Sequence, residues 1–419
     1  MLFLTSLTLL ACTGGDDVTL EDDSNTLATG EVTYYADVRP MLDKHCVRCH
    51  IEGGLGLGDF TNQAVVEGMA ERMLTRVDAG TMPPPASDPD CRDYAGSDYL
   101  NVDDEERQVL ADWIEGGLPL GAPADDPGVE APATDVVDPD VVVQIDGYTP
   151  TYEDAANPGN EYRCFVLDPE LTETRYVTEM APIVDAAAIV HHVVLITAKR
   201  AQIQEEHLGE DGYDCIDGTG GIGDQMVGAW APGMLPVTLP DGYGMPVGPD
   251  DVMVLQMHYF QSGDDTVGLT DATGYAFKTV DDVDTEVVLA PIGIYDFEIP
   301  ANAESHTDGE TFLNEYPVSL ELRATFPHMH VLGTEYDMRV QHADGTETCL
   351  ATGTYDFDNQ MTYQWNEPVE LKPGDSIDFS CTWNNSESNL ELEGQPQTTF
   401  YGERTDEEMC FFFTFVNIK

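Results

Sequence analysis

The sequence predicts a mainly β protein, in which antiparallel β-sandwich domains stand behind a small all-α module. Three observations carry this. From about residue 150 the chain runs as short apolar or alternating stretches cut by Gly, Asp, Asn and Pro clusters, the signature of antiparallel sandwiches. No convincing amphipathic helix interrupts that pattern. Before residue 120, three segments instead carry helical periodicity with matching start and stop signals. The roughly 270 residues after the change suit two domains better than one. The Gly/Asp/Thr-rich gap from Asp264 to Thr273 is the boundary the sequence offers.

The helical part comes first. Tyr34 to His45 reads as one helix. A second runs from about Asn62 to Ala79, with Gly80 as its stop. The third, Asp103 to Glu115, has Asp103 as N-cap and Gly116-Gly117 beyond its end. Residues 121–150, rich in Asp, Pro and Val, have linker composition.

Composition narrows the setting. The 419 residues are 42% hydrophobic, ample for real cores, and carry 79 acidic against 17 basic side chains, a net charge of −62. Such a surface argues against nucleic-acid and anionic-membrane partners, which need a basic face, and reads most simply as solubility. Met1 to Ala11 is apolar, and Leu9-Leu10-Ala11-Cys12 resembles a bacterial lipobox. It predicts a signal segment over 1–12, a lipid on Cys12 and an acidic tether over 13–31, although the usual basic n-region is missing. The expected location is exported, in the periplasm or as an outer-membrane or cell-surface lipoprotein. The segment is too short to span a bilayer. Nine cysteines suit an oxidising compartment.

At the end of the first helix stands Cys46-Val-Arg-Cys49-His50. The spacing places two thiols for thioethers to haem vinyls and the next residue, His50, under the iron; alone, it also fits a zinc half-site. Gly80-Thr81-Met82-Pro83-Pro84-Pro85 offers a thioether on a rigid loop as sixth ligand, and Trp113 could pack on the macrocycle. Residues 32–120, including the closing Leu110-Ala-Asp-Trp-Ile-Glu-Gly-Gly-Leu-Pro119, resemble the small class I cytochrome c domain. The resemblance implies haem c held by Cys46, Cys49, His50 and Met82. With both axial positions filled, such a module carries electrons and does not bind O2.

The β part holds the other ligand-type residues. His191 and His192 are adjacent within an apolar, β-branched run. Burying two imidazoles costs free energy unless their nitrogens find partners. Neighbours on a strand point to opposite faces, so both can reach one metal only if the strand ends or bulges between Val190 and Val193. His258 lies in the alternating strand Val252 to Phe260. His328 and His330 are i and i+2, side by side on one strand face, a bidentate metal clip. Met409 stands at the entry of an apolar strand. Singly, these fit satisfied sheet histidines and a core methionine. Together, five imidazoles and one thioether favour copper over zinc, and Cys410 leaves a blue-copper site open. His207, His306 and His342 read as surface residues.

The order of these elements resembles the copper type II, ascorbate-dependent monooxygenases, which include dopamine β-monooxygenase and peptidylglycine α-hydroxylating monooxygenase. The resemblance covers about 150–419. It rests on the His191-His192 pair, Gln256-Met-His258-Tyr259, His328-Met-His330 and Glu408-Met409-Cys410, supported by Tyr355-Asp-Phe-Asp-Asn-Gln360, Leu371-Lys-Pro-Gly-Asp375 and Cys381-Thr-Trp-Asn-Asn-Ser386. It implies two jelly-roll-like sandwiches, 151–268 and 269–419, facing each other across a solvent-filled cleft. By the same resemblance His191, His192 and His258 hold a copper that stores electrons. His328, His330 and Met409 hold the copper that binds O2 and hydroxylates a small-molecule substrate. It further implies disulfides Cys164–Cys215 and Cys381–Cys410; the second would take Cys410 off the ligand list. Cys91 and Cys349 have no counterpart and either pair together or stay free.

Two departures bear on substrate. Phe326 stands where the peptide-amidating branch has an arginine, and Phe413 where it has a tyrosine, which points to a small, largely apolar molecule. Electrons are expected from an ascorbate-like reductant or a redox protein, through the haem module docking and undocking on its linker. The rival class, a non-catalytic haem/copper electron-transfer or copper-holding protein, predicts one copper rather than two, and a structural adhesin-like sandwich predicts none.

Overall fold

The computed structural model describes residues 31–54, 56–153, 159–209, 211–215, 223, 225–261, 263, 266–389, 395–402, 404 and 406–419. Cys12, its lipobox and nearly all of the tether lie outside the described residues. Among the described residues, no helix is long and apolar enough to cross a membrane.

The N-terminal module is helical. A single π-turn over Tyr34–Val38 leads into α1, Arg39–His45. Next comes α2, Gln63–Asp78, whose first turn is capped by the Asn62 side chain accepting from Ala64 N at 3.1 Å. A short α3, Ser97–Leu100, was not anticipated. The last helix, α4, spans Asp104–Glu115. Asp103 accepts from the amides of Glu105 and Glu106 while Glu106 reaches back to Asp103 N, a capping box worth about 1 kcal/mol. Gly80 and Gly117 take positive φ, which lets the chain turn out of α2 and α4. Tyr34, Val38, Leu42, Val66, Leu110 and Trp113 form the core. Trp113 is fully buried there, its indole N–H donating to Pro119 O at 3.0 Å and its ring 5.9 Å from Tyr34. It therefore acts as a helix-packing residue.

Beyond residue 140 the described chain is built of strands joined by turns and loops, with short 3-10 turns at Arg200–Gln202 and Glu205–His207. The first sandwich packs a six-stranded sheet against a five-stranded one. Tyr275 and Met180 of one sheet reach Gly228 of the other so closely that a Cβ there would lie 3.3 and 3.4 Å from them. The second sandwich packs two four-stranded sheets, with Phe412 of one against Phe379 and Tyr336 of the other at 5.7 and 6.3 Å. In Ser376–Asn385 every second residue is buried, the period expected of a sheet with one face in the core.

Three sequence expectations are corrected. The gap at 264–273 does not divide the sandwiches, so 268/269 is not their boundary. Strand Gly274–Val280 pairs with Arg175–Ile183 and with Val141–Gln144, and the chain leaves the first sandwich only after Glu286. For the same reason the linker of 121–150 ends by residue 140: its Val-rich tail is an edge strand. Finally, the helical module does not hang free. Cys91 is disulfide-bonded to Cys349 in the second sandwich, which settles their pairing and removes docking and undocking on a loose linker. Cys164–Cys215 and Cys381–Cys410 are also bonded.

Candidate metal centres

His191 and His192 lie on strand Val190–Lys199, and His258 on its antiparallel neighbour Asp251–Phe260. Val190 pairs with Tyr259, but His192 pairs with His258, so the register slips by one residue at His191. This bulge turns both adjacent imidazoles to one side. One ligand atom from each of the three histidines falls within 4.8 Å of the others. The outer nitrogens are held by neighbours: His191 Nε2 by Asp358 at 2.8 Å and His258 Nε2 by Asn160 Oδ1 at 2.8 Å, with His192 Nε2 3.4 Å from Gln360 Nε2. That arrangement leaves Nδ1 as the inward atom, and Nδ1 of His191 and His258 are 3.1 Å apart. Partners on the far nitrogen fix tautomer and ring orientation, as in metal-binding imidazoles. Burial holds His192 and His258 well below the ordinary histidine value, in the neutral form a metal needs.

The second group is inverted. His328 Nδ1 meets Gln360 Oε1 at 2.6 Å and His330 Nδ1 meets Glu407 O at 3.0 Å, which leaves Nε2 of both for a ligand. Their rings are 5.2 Å apart. Burial lowers His328 and pushes His330 down to about 3. Strand Leu320–His328 pairs with Phe411–Ile418, His328 opposite Phe411; continuing that register puts half-buried Met409 opposite His330. Two imidazoles and a thioether are a donor set that suits a copper cycling to Cu(I). Glu408, fully buried, ties this corner together. Its Oε2 accepts from the amides of His330 and Met409 at 3.0 and 3.2 Å and from the Trp383 indole at 3.0 Å, and its Oε1 from Leu332 N at 2.7 Å. Burial outweighs these donors and pushes its carboxyl up to about 7.

The loop Tyr355 to Gln360 joins the two groups. Asp358 holds His191, and Gln360 stands between His192 and His328. The Phe357 ring lies 5.9, 5.3, 6.5 and 6.3 Å from His191, His192, His258 and His330. At this point the groups are linked by the side chains of Gln360 and Phe357. The stretch from Tyr355 to Gln360 supports the resemblance in sequence, but periodicity assigns Phe357, Asp358 and Gln360 no role beside the histidines, and Asn160 carries no sequence signal at all. The three histidines read as surface residues are all half-buried. His342 bonds Asp375 and Thr348, and His306 has Nε2 enclosed beside Trp383.

In the helical module Cys46 and Cys49 are free thiols, unlike the six disulfide-bonded cysteines. Burial pushes the Cys46 thiol up to about 12. His50 stacks on Phe60 at 4.2 Å and its Nδ1 meets Leu57 O at 3.1 Å, which again leaves Nε2 for a ligand. Two unpaired thiols and an oriented imidazole fit the donor set of a c-type haem. Met82 stands 42% exposed on the loop after α2.

Two sandwiches, each carrying a histidine group beside the loop Tyr355 to Gln360, have the donor sets of a two-centre metalloprotein. Residues 153–265 match the N-terminal domain model of the copper type II ascorbate-dependent monooxygenases and 287–416 the C-terminal one, so this chain belongs to that family of copper-dependent oxidoreductases. It is similar to the mouse "DBH-like monooxygenase protein 2", 26% identical over 61% of this chain and 42% of the relative. The human "Putative DBH-like monooxygenase protein 2" is 25% identical over 61% and 52%. The frog (Xenopus laevis) "Peptidyl-glycine alpha-amidating monooxygenase A" is 25% identical over 64% and 27%. The chain thus spans about half or less of the relatives it matches.

Proposed function

We propose that this protein is a monooxygenase that uses O2 to hydroxylate a C–H bond of a small, largely apolar substrate at the His328/His330/Met409 centre. Cys46, Cys49, His50 and Met82 would hold a c-type haem and His191, His192 and His258 a copper, which together would supply one-electron transfer from ascorbate or a redox protein as outside donor. The observation that carries the reading is the pairing of two histidine groups through one loop, Asp358 on one and Gln360 between both. Copper bound at the two groups supplies one-electron storage at the first and O2 chemistry at the second. The chain's own residues do the rest. Asp358 and Asn160 orient the first imidazoles, Gln360 and the Glu407 carbonyl orient the second pair, and burial favours the neutral form of His192, His258, His328 and His330.

Phe326 and Phe413 present rings 6.0 and 6.1 Å from His328, a face that favours an uncharged apolar substrate and excludes water. Export and a lipid on Cys12 complete the proposal. The test is O2 uptake coupled to hydroxylation of small aromatic and aliphatic compounds by the copper-loaded protein. It should vanish in Met409→Ala while the haem spectrum stays intact. Uptake without product, or one copper per chain, would support a carrier instead.

A further inference from the structure

The segment from Pro85 to Asn101, ahead of α4, is bonded along the edge of the second sandwich over most of its length. Cys91 bridges to Cys349, and the Arg92 guanidinium donates to Cys349 O at 3.0 Å and to Glu367 O at 3.1 Å. Asp88 N and Ala95 N donate to Thr352 O and Gln364 O at 2.9 and 2.8 Å. Tyr94, buried, meets the Tyr363 ring edge-on at 4.9 Å. On the side of the first sandwich, Arg48 of the Cys46–His50 motif donates to Gly233 O at 3.0 Å, and a Cβ on Gly233 would lie 3.0 Å from Cys49 Sγ. Between these anchors the Asn359 amide donates to Pro85 O at 3.3 Å. Asn359 sits between Asp358 and Gln360, the residues that hold the two histidine groups.

We propose that residues 85–101 are a built-in docking clasp, and that the Pro85–Asn359 contact is where the helical module delivers electrons to the His191/His192/His258 centre. Asn359 and the Cys91–Cys349 bridge are its positioning residues. This rests on the haem reading above. The step is a one-electron transfer: iron(II) is oxidised to iron(III) as copper(II) is reduced to copper(I). No bond is made or broken, and ascorbate or a reduced redox protein restores the iron. From Pro85 O the contact crosses one hydrogen bond to Asn359, one peptide link to Asp358 and the 2.8 Å bond to His191. A covalently pinned module keeps this contact continuously, whereas a module on a free linker keeps it only part of the time.

The experiment uses the full, copper-loaded chain. The haem is reduced by a laser flash without O2, and its reoxidation is followed in the Soret band together with loss of the cupric electron-spin signal. Asn359→Asp, which removes the amide donor at constant shape, should slow reoxidation about fivefold, the population shift expected from one lost hydrogen bond. The double variant Cys91→Ser/Cys349→Ser should slow it about a hundredfold as the effective concentration of the module falls. Direct reduction of copper by added ascorbate should stay at the wild-type rate in both, which a merely structural disturbance of the centre would not allow. Wild-type reoxidation in both variants, or ascorbate reduction slowed in parallel, overturns the proposal. A chain with no covalently attached haem by pyridine haemochrome overturns the haem reading beneath it, and is told apart by that assay.

Discussion

Glu408 offers the sharpest test of how the second centre is held. Replacing it with alanine leaves four donors, three of them buried and one half-buried, without an acceptor: the amides of His330, Leu332 and Met409 and the Trp383 indole. At about 1–3 kcal/mol for each orphaned donor, the loss reaches about 4–12 kcal/mol, comparable with the whole stability of a domain. Glutamine keeps a carbonyl oxygen towards the three donors on the Oε2 side and sets its NH2 against Leu332 N–H alone, so it should cost only about 1–3 kcal/mol.

The pH dependence separates the charge from the geometry. The carboxyl is raised from 4.5 to about 7 by burial, so its contribution is fully present below 4.5 and is lost as pH rises through about 7. The span is about 3 kcal/mol, and the glutamine variant lacks it. Urea unfolding of the metal-free protein, followed by tryptophan fluorescence at about pH 5 and about pH 8, should show the gap between wild type and Glu408→Gln narrowing. An alanine variant as stable as wild type, a glutamine variant as damaged as alanine, or parallel pH slopes would refute this account.

Three further outcomes follow from the same geometry. Asn160→Ala frees His258 Nε2 and should weaken copper at the first centre about 10–100-fold in a chelator competition, while His258→Ala should remove that copper and leave the other. His330 is lowered from 6.5 to about 3, so its share of stability is present above 6.5 and is lost as pH falls towards about 3; the melting temperature of the metal-free protein should drop in that window. Gly233→Val places a branched side chain on a residue at φ +82 and against Cys49 Sγ, so faster limited proteolysis between residues 121 and 140 should report a loosened module.

Much of the fold was legible because its signals are local. The bounds of α2 and α4 lie within about one residue of where Asn62, Gly80 and Asp103 put them, since capping is decided by side chains a few positions away. The bulge at His191 followed from two adjacent histidines serving one site. The domain boundary was misread because Gly274–Val280 finds its partner at Arg175–Ile183, about ninety residues back, and nothing local in a strand says which sandwich it joins.

The sequence by itself determined the types of element and the chemistry of the ligand-type side chains. Period-two runs with breakers make strands, capped segments make helices, and imidazoles with a thioether suit copper whatever their surroundings. Only the tertiary structure decided which of these side chains meet and through what. Phe357, Asp358, Asn359 and Gln360 acquire their places because two sandwiches and a disulfide-pinned module converge on one loop. The physical reason is range: capping and strand periodicity act over a few residues, whereas a hydrogen bond such as Asn359 to Pro85, across 274 residues, exists only once packing has brought its ends together.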